Sequence, residues 1–336
     1  VGTGPFKFVS YTPDTNVVLA ANADYFRGAP KLSRIIYRVI PEASTRRLEL
    51  ENGGIDISQQ NGQLYSIPVE DIKAFAKNPD VDVIQVPSQI FRQFEFNNSH
   101  PDSPINDVRV RKAISKGINR FAIVEKVMEG VAIPAGQYLA DGFFGTSPNL
   151  KVEKYDPEGA KKLLAEAGYP DGFGLTIQGP NNRYVNDAKI CQAVAQMLTR
   201  IGIKTKVDTM PKNVFFPRGT KLEFSFMLVG WGSGTGEPSS PLKALMATHD
   251  KSTGMGMTNR GRFSNKKYDE LVKKALRTVD REKHKQLLIE ATELSMDELG
   301  IIPLHFQINT WAVRKGIQYK ARSDEYTLAA GVTSVK

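Results

Sequence analysis

The pattern of hydrophobic and polar positions in the first ninety residues predicts strands and one short helix. Runs of β-branched residues with a two-residue alternation occur in TNVVLAAN and RIIYRVI, which is typical of strands. The segment PEASTRRLELENGGIDI predicts a helix that starts at Pro41 and ends near Gly53 and Gly54. The next segment, VDVIQVPSQIFRQFEFNN, predicts an extended chain that is broken at Pro87.

From Asn106 onward the pattern changes to helices that alternate with strands. Asp107 is placed to cap a helix with one apolar face, which comprises Val110, Ala113, Ile114, Gly117 and Ile118. The segment YDPEGAKKLLAEAGYPDGF predicts a second helix, because Asp156 can cap it and Pro157 suits its first turn. Gly168 is placed to end that helix.

A strand–helix–strand unit follows, and it predicts that part of the sheet is parallel. The unit consists of strand GLTIQ, a helix that ends before Gly202, and strand IKTKVD. Strand EFSFMLV then leads into the loop GWGSGTGEPSSPL. Two further helices, about 265–278 and 281–299, precede the extended segment IIPLHFQINTWAV. Loops at the carboxyl ends of strands in such sheets are where ligands tend to bind.

The loop that begins at Gly230 does not match two well-known glycine motifs. Its glycines fall at every second position, whereas a dinucleotide-binding loop needs G-x-G-x-x-G before a helix. Ser233 lies between Gly232 and Gly234, so the G-x-S-x-G pattern of a nucleophilic serine is also missing. Two interpretations remain at this point, a flexible connection after a strand and a backbone-lined ligand site.

Composition bounds the class of protein. A chain of 336 residues with 40% hydrophobic content favours two lobes over a single core. The net charge of +9 comes from scattered lysines and arginines without a nucleic-acid-binding motif, so nucleic acid is not an expected partner. The single cysteine, Cys191, excludes an intrachain disulfide and a cysteine-based metal cluster. No window of the chain is apolar enough to span a membrane.

The opening segment VGTGPFKFVSY lacks an initiating methionine and begins as if within a strand. We therefore expect the chain to be a fragment. The missing signal peptide is then expected on an absent N-terminal segment, so its absence here does not indicate a cytoplasmic protein.

Six segments in order resemble one family, the extracytoplasmic solute-binding proteins of peptide-type ABC importers. GTGPFKF resembles the family's strand-opening motif, NADYFRGAP its N-x-D-Y-[WF]-x-G-x-P run, and NGGIDI its G-x-x-D-I motif. INDVRVRKA resembles its D-x-R-V-R-x-A helix, and YDPEGAKKLLAEAGY its YDP-x-x-A-x-x-L-L segment. GWGSGTGEPSSPL takes the place of its G-W-x-x-D-x-x-D-P loop. The resemblance covers nearly the whole chain.

The resemblance implies an α/β fold, a two-lobed clamshell with mixed sheets, of which one lobe is incomplete in this chain. Residues 1–90 are expected to belong to the first lobe and 92–302 to form the second, while 305–336 return to the first. The implied function is the capture of a peptide or peptide-like solute between the lobes and its delivery to the ABC permease subunits. A periplasmic monomer without cofactor, metal or nucleic acid is expected.

The resemblance also implies a ligand role for the loop after Trp231. Relatives that bind peptides place an aspartate in this loop for the ligand's ammonium group, and Gly234 stands at that position here. Glu237 is either a substitute carboxylate or a solvated loop acid. Trp231 is either an aromatic wall for the ligand or a lid on the core. The loop backbone is expected to meet an extended ligand at Gly232, Ser233, Gly234 and Thr235.

A second candidate loop, GPNNRYVND, follows strand GLTIQ. Arg183 is either a partner for a ligand carboxylate or a surface arginine near a helix N-terminus. Asn182 and Tyr184 accompany it as candidates, and Gln137 is a further candidate on a proline-bounded loop.

An enzyme, such as a phosphatase-like periplasmic hydrolase, is the main alternative, and a clamshell sensor for a membrane signalling partner is another. None of the histidines lies in a hydrolase or metal-binding motif; they are His100, His249, His284 and His305. His284 is expected to be solvated on a lysine-rich helix face, and His305 to be a buried ring with satisfied hydrogen bonds. These positions do not favour catalysis.

Overall fold

A computed structural model of the chain describes residues 2–60 and 67–334. The strands are β1 (Phe6–Thr12), β2 (Asn16–Ala21), β3 (Arg34–Arg38), β4 (Ile57–Gln60), β5 (Val81–Phe96), β6 (Ala132–Pro134), β7 (Gly174–Pro180), β8 (Lys204–Met210), β9 (Phe226–Gly232), β10 (Ile301–Arg314), β11 (Ile317–Tyr319) and β12 (Val332–Ser334).

The longer helices are α1 (Ala43–Glu51), α2 (Val69–Phe75), α3 (Val108–Gly117), α5 (Pro157–Glu166), α6 (Asp187–Arg200), α7 (Lys212–Thr220), α9 (Lys266–Arg277) and α10 (Arg281–Glu298). Two single turns, α4 (Arg120–Ala122) and α8 (Ser239–Pro241), each continue into a π turn, Ile123–Val127 and Leu242–Met246 respectively. Short 3₁₀ turns lie at Pro104–Asn106 and Ala329–Gly331.

The chain divides into two compact units. One unit contains the chain up to Val86 and from Ile308 onward, and the other is Pro87–Gln307. In the first unit β1, β2 and β3 form an antiparallel sheet, β4 pairs with the end of β10, and β11 pairs with β12. Its core surrounds the buried Trp311, whose indole N–H donates to Thr327 Oγ1 over 2.9 Å. The predicted assignment of 1–90, 92–302 and 305–336 to lobes stays a prediction.

In the second unit the strands lie in the order β10-β5-β9-β7-β8, with β6 beside β10. Strand β7 is parallel to β8 and to β9, whereas β5 is antiparallel to β9. Because α6 connects β7 to β8, the predicted strand–helix–strand unit is confirmed. The carboxyl ends of β7 and β9 therefore point the same way, which brings the loops that follow them together.

Two buried clusters stabilise the second unit. In one, Phe94 and Phe96 of β5 stack on Phe226 with ring centroids 4.5 Å and 4.9 Å apart, against α3, α5 and α6. The other includes Phe91 and Tyr138 and packs against α9 and α10. Each buried aromatic side chain contributes about 2 kcal/mol by removal of its surface from water, so these clusters stabilise the sheet beneath the loops.

The predicted helix starts are confirmed at two caps. The Asp107 carboxylate accepts from the backbone N–H of Arg109 over 2.8 Å, and the Asp156 carboxylate accepts from Gly159 over 2.8 Å. Gly168, with φ of +93°, follows the second of these helices as predicted.

Two predictions about proline and helices are wrong. Pro87 does not break the extended segment, since β5 runs continuously from Val81 to Phe96. Pairing with β9 begins only at Ile90, so the missing N–H of the exposed Pro87 removes no bond from that ladder. The described part of the first ninety residues contains two helices, α1 and α2, where one is predicted. The sequence patterns also miss α7, which contains Pro217 in its last turn.

Candidate functional site

A cavity of about 320 Å³ opens in the second unit where β7 and β9 end. It is lined by Glu95, Arg183, Tyr184, Phe216, Val229, Gly230, Trp231, Gly232, Leu245 and Arg260. The two loops that the sequence singles out thus meet at one cavity. Strand β5, helix α7, the Leu242–Met246 turn and the segment after it complete its wall.

The loop after β7 is fixed by a buried carboxylate at the start of α6. Asp187 accepts hydrogen bonds from the backbone N–H groups of Arg183, Tyr184 and Ala188 over 2.9–3.0 Å. Burial raises the pKa of Asp187, although these three bonds and the nearby Arg92 act in the opposite direction. The loop conformation therefore presents Arg183 and Tyr184 to the cavity at defined positions.

Tyr184 connects the two loops. Its hydroxyl accepts from the backbone N–H of Gly230 over 2.9 Å, and two guanidinium groups lie over its ring. The central carbon of Arg92 lies 4.2 Å from the ring centroid and that of Arg183 lies 5.0 Å from it. Burial raises the pKa of the Tyr184 hydroxyl, so it stays neutral at physiological pH. The cation–π contacts hold Arg183 at the cavity wall.

Trp231 lies both on the core and at the cavity, and its role as a wall for a ligand stays a prediction. Its side chain packs against the second buried cluster, and it also lines the cavity. The indole N–H donates to Ser240 Oγ over 3.2 Å, which fixes the ring orientation. The neighbouring glycines leave room for other side chains, because a Cβ at Gly230 would lie 2.6 Å from Arg92 Nη1 and one at Gly232 would lie 2.9 Å from Ile90 Cγ1.

The loop residues after Gly232 form a hydrogen bond within the loop. Ser233 is buried, and its hydroxyl donates to the Glu237 carbonyl oxygen over 2.5 Å. Gly234 and Thr235 are exposed and do not line the cavity. The ligand roles of Ser233, Gly234 and Thr235 stay predictions.

The Glu237 carboxylate contacts two other side chains of the protein. Its carboxylate accepts from Ser239 Oγ over 2.5 Å and lies 3.1 Å from His284 Nε2. The prediction that His284 is solvated is therefore wrong, since its ring is half-buried, stacks on Phe144 and places Nδ1 2.9 Å from the Ala275 carbonyl oxygen. Glu237 does not line the cavity, and its role as an ammonium partner stays a prediction.

Two other candidates lie apart from the cavity lining. Asn182 is exposed, and its side-chain oxygen accepts from the backbone N–H of Lys212 over 2.8 Å. Gln137 is buried, donates to Asp141 and to the Ser147 carbonyl, and accepts from the Ser147 N–H. Both amides thus hold loops in place, and their ligand roles stay predictions.

Two charged residues of the cavity wall are not predicted by the sequence patterns. Glu95 of β5 is 1% exposed, and burial raises its pKa to about 7, an effect that the nearby charge of Arg260 opposes. Arg260 lies with its central guanidinium carbon 5.7 Å from the Phe216 ring centroid. The sequence does hold one signal, an acidic residue between two core phenylalanines in FEF, because the two-residue alternation places Glu95 on the opposite face of the strand.

His305 is a buried ring, but the expectation that its hydrogen bonds are satisfied is wrong. Its Nδ1 has no hydrogen-bond partner among the residues that the structure describes. Burial lowers the pKa of His305 to about 3, with a further contribution from the nearby Arg92. Within residues 2–60 and 67–334, no group of three or more histidine, cysteine, aspartate or glutamate side chains is arranged to hold a metal ion.

The amino-acid sequence matches one family model, described as bacterial extracellular solute-binding proteins, family 5, over residues 1–253. The chain belongs to this solute-binding family. The resemblance noted from the six motifs is thereby confirmed.

Individual members of this solute-binding family show the same relationship. The chain is 28% identical over 310 residues to heme-binding protein A of Haemophilus influenzae, which covers 90% of the chain and 54% of that protein. It is 28% identical over 322 residues to di/tripeptide-binding protein 2 of Pseudomonas aeruginosa, covering 94% of the chain and 58% of that protein. The chain thus spans little more than half the length of these curated relatives.

The fold of this chain is also shared with solved structures. HbpA2 from Haemophilus parasuis superposes with a TM-score of 0.83 at 29% identity, covering 100% of this chain and 64% of that chain. The structural neighbours are two-lobed periplasmic binding proteins, which confirms the predicted α/β fold class. In the part of the chain that is described, no helix has both the length and the apolar character to cross a membrane.

Proposed function

We propose that this protein is the solute-binding receptor of an ABC importer, which captures a peptide or peptide-like solute and delivers it to membrane permease subunits. The observation that carries the proposal is the cavity at the ends of β7 and β9, where Arg183 lies beside the Trp231 wall. Membership of the solute-binding family and the di/tripeptide-binding relative support a peptide as the ligand class.

The chemistry of the cavity suits a ligand that carries a carboxylate. Arg183 and Arg260 contribute two positive charges to the wall, whereas Glu95 contributes at most one negative charge. A guanidinium can hold a carboxylate through two parallel hydrogen bonds, which fixes orientation as well as charge. The Trp231 indole offers an apolar face, and the backbone at Gly232 is open to an extended ligand.

We infer that the protein binds its solute without converting it. Its relatives are named as binding proteins, and two histidines of the chain are engaged with backbone. The Nδ1 atoms of His249 and His284 lie 2.9 Å from the carbonyl oxygens of Gly256 and Ala275. We further propose a monomeric receptor outside the cytoplasm, with a signal peptide directing it there and no nucleic-acid partner; the extracellular family supports this location.

A thermal-shift screen of the intact protein tests the proposal. The panel contains di- and tripeptides with free termini, the same peptides with an acetylated N-terminus or an amidated C-terminus, glutathione, and sugars. A ligand at 100 times its dissociation constant stabilises the folded state by about 2.7 kcal/mol, which gives a readable shift. We expect peptides with a free carboxylate to raise the melting temperature and sugars to leave it unchanged.

The substitution Arg183→Gln locates the site, with Arg200→Gln as a control because Arg200 is exposed on α6 of the same unit. Loss of a charge-assisted pair at Arg183 is expected to weaken binding of free-carboxylate peptides by about tenfold to a hundredfold. The control removes the same charge and should leave affinity unchanged. Absence of any stabilising peptide would contradict the proposed function, and equal effects of the two substitutions would contradict the location of the site at Arg183.

A further inference from the structure

The inner wall of the cavity holds a buried acid from β5. The two-residue alternation of the strand sends Phe94 and Phe96 into one core cluster and Glu95 to the opposite face, where it lines the cavity. The Glu95 Oε1 atom accepts from Gln93 Nε2 over 3.3 Å. Its Oε2 atom is buried and has no hydrogen-bond partner in the described chain. A residue that lines the cavity thus carries an unsatisfied buried acceptor.

The same wall holds a buried donor. The Nε–H of Arg260 is buried and likewise finds no hydrogen-bond partner within the described ranges. The Arg260 guanidinium lies near the Phe216 ring, and its charge acts on the Glu95 carboxyl group. A buried polar group without a partner destabilises the folded state, because it has lost its hydrogen bonds to water. One unsatisfied acceptor and one unsatisfied donor in the same wall thus favour a ligand group that supplies both a donor and an acceptor.

Charge and hydrogen-bond chemistry narrow the class of that occupant. An ammonium group would offer donors only, and it would add a third positive charge beside Arg183 and Arg260. A carboxylate would offer acceptors only, and at pH 8 it would face an ionised Glu95 without a proton to share. An apolar side chain would leave both Glu95 Oε2 and Arg260 Nε unsatisfied.

An amide group supplies both a donor and an acceptor. The relative direction of these two groups differs between a peptide bond and a terminal carboxamide. In a trans peptide bond the N–H and C=O point in opposite directions, so they cannot both meet one wall. In a terminal carboxamide, one N–H and the C=O lie on the same edge. The terminal carboxamide therefore matches this pair of atoms.

We propose that Glu95 and Arg260 form a subsite for a carboxamide side chain of the bound peptide, with its N–H donating to Glu95 Oε2 and its C=O accepting from Arg260 Nε. This inference rests on the proposed function, because it assigns a side-chain preference to the same cavity. The two residues act as specificity-determining residues for the ligand.

Calorimetric titration with three dipeptides of nearly equal size tests the subsite: alanyl-glutamine, alanyl-glutamate and alanyl-methionine. The measurement is made at pH 8, where Glu95, with a pKa of about 7, is ionised. The unmodified protein is expected to bind alanyl-glutamine at least about tenfold more tightly than either of the others, the effect of one or two charge-assisted hydrogen bonds. Alanyl-asparagine, alanyl-aspartate and alanyl-leucine repeat the comparison at a shorter side-chain length.

The substitution Glu95→Gln tests the residue, with Glu290→Gln as the matched control on the exposed face of α10. The introduced side chain has an NH₂ group that can donate to a carboxylate, so the preference for alanyl-glutamine over alanyl-glutamate should fall to about threefold or less. The control should keep the preference. A second variant, Arg260→Met, should weaken alanyl-glutamine binding while alanyl-methionine is little affected.

The outcomes separate the two proposals. Equal affinity for the carboxamide, carboxylate and apolar peptides in both length series would overturn the subsite, while the peptide-binding function would stand. The subsite is equally overturned if peptides with other side chains bind and these six do not, or if Glu95→Gln leaves a tenfold preference intact. If no peptide of any kind binds, the proposed function fails and the subsite fails with it.

Discussion

The buried charge of Glu95 predicts that replacing it with glutamine stabilises the folded protein at neutral and alkaline pH. Glutamine has nearly the same shape as a protonated glutamate, and its side-chain oxygen can keep the contact with Gln93 Nε2, which is 3.3 Å in the unmodified protein. The substitution therefore removes an ionisable group with little change in packing. The 1% exposure of Glu95 makes solvent screening a small correction.

The magnitude follows from the pKa of Glu95. Burial raises it from the ordinary 4.5 to about 7. Each tenfold change in an ionisation constant corresponds to about 1.4 kcal/mol, so ionisation in the folded state costs about 3 kcal/mol more than in the unfolded chain. Between these two pKa values the folded state binds more protons than the unfolded state. The contribution of Glu95 to stability therefore falls as pH rises from 4.5 to 7, and the full cost remains above pH 7.

Chemical denaturation at pH 5, 6, 7 and 8 checks this prediction. The free energy of unfolding of the Glu95→Gln variant should exceed that of the unmodified protein by up to about 3 kcal/mol at pH 8, and the two should converge toward pH 5. The Glu290→Gln control changes the same charge on an exposed surface, so its difference should stay small at every pH. A variant that is less stable at pH 8, or a gain that does not shrink toward pH 5, would refute the assignment of a buried, destabilising carboxylate.

Two further predictions concern stability. Burial lowers the pKa of His305 from 6.5 to about 3, so below pH 6.5 the unfolded state binds a proton that the folded state does not, and stability is lost as pH falls. In denaturation curves from pH 7 to 4, His305→Gln should flatten that loss, which has an upper limit of about 3 kcal/mol between pH 6.5 and 4; an unchanged slope would contradict it. Asp107→Ala removes the α3 cap and should lower the free energy of unfolding by about 1 kcal/mol, measured by thermal unfolding. Asp102→Ala, at an exposed neighbouring site, should leave it nearly unchanged. Equal losses in the two variants would exclude a capping effect.

Sequence patterns predicted correctly the helix ends that depend on interactions between residues close together in the chain. The caps at Asp107 and Asp156 and the stop at Gly168 depend on groups within a few residues, so their sequence patterns predict the helix ends correctly. The prediction at Pro87 failed because a strand tolerates proline wherever the ladder does not need its N–H, and that depends on which strand lies beside it.

At the candidate site, too, the sequence predicts some features and the tertiary structure decides the others. The sequence by itself determined that the loops carrying Arg183 and Trp231 each follow a strand, and it singled out both as candidate ligand sites. The structure shows that these two strands are parallel, which brings the loops together at one edge of the sheet. Only the tertiary structure decided which charges reach the cavity. Glu237 turns toward His284, while Glu95, 142 positions earlier in the chain, lines the wall with Arg260. Burial and charge pairing depend on neighbours distant in sequence, and no local pattern encodes them.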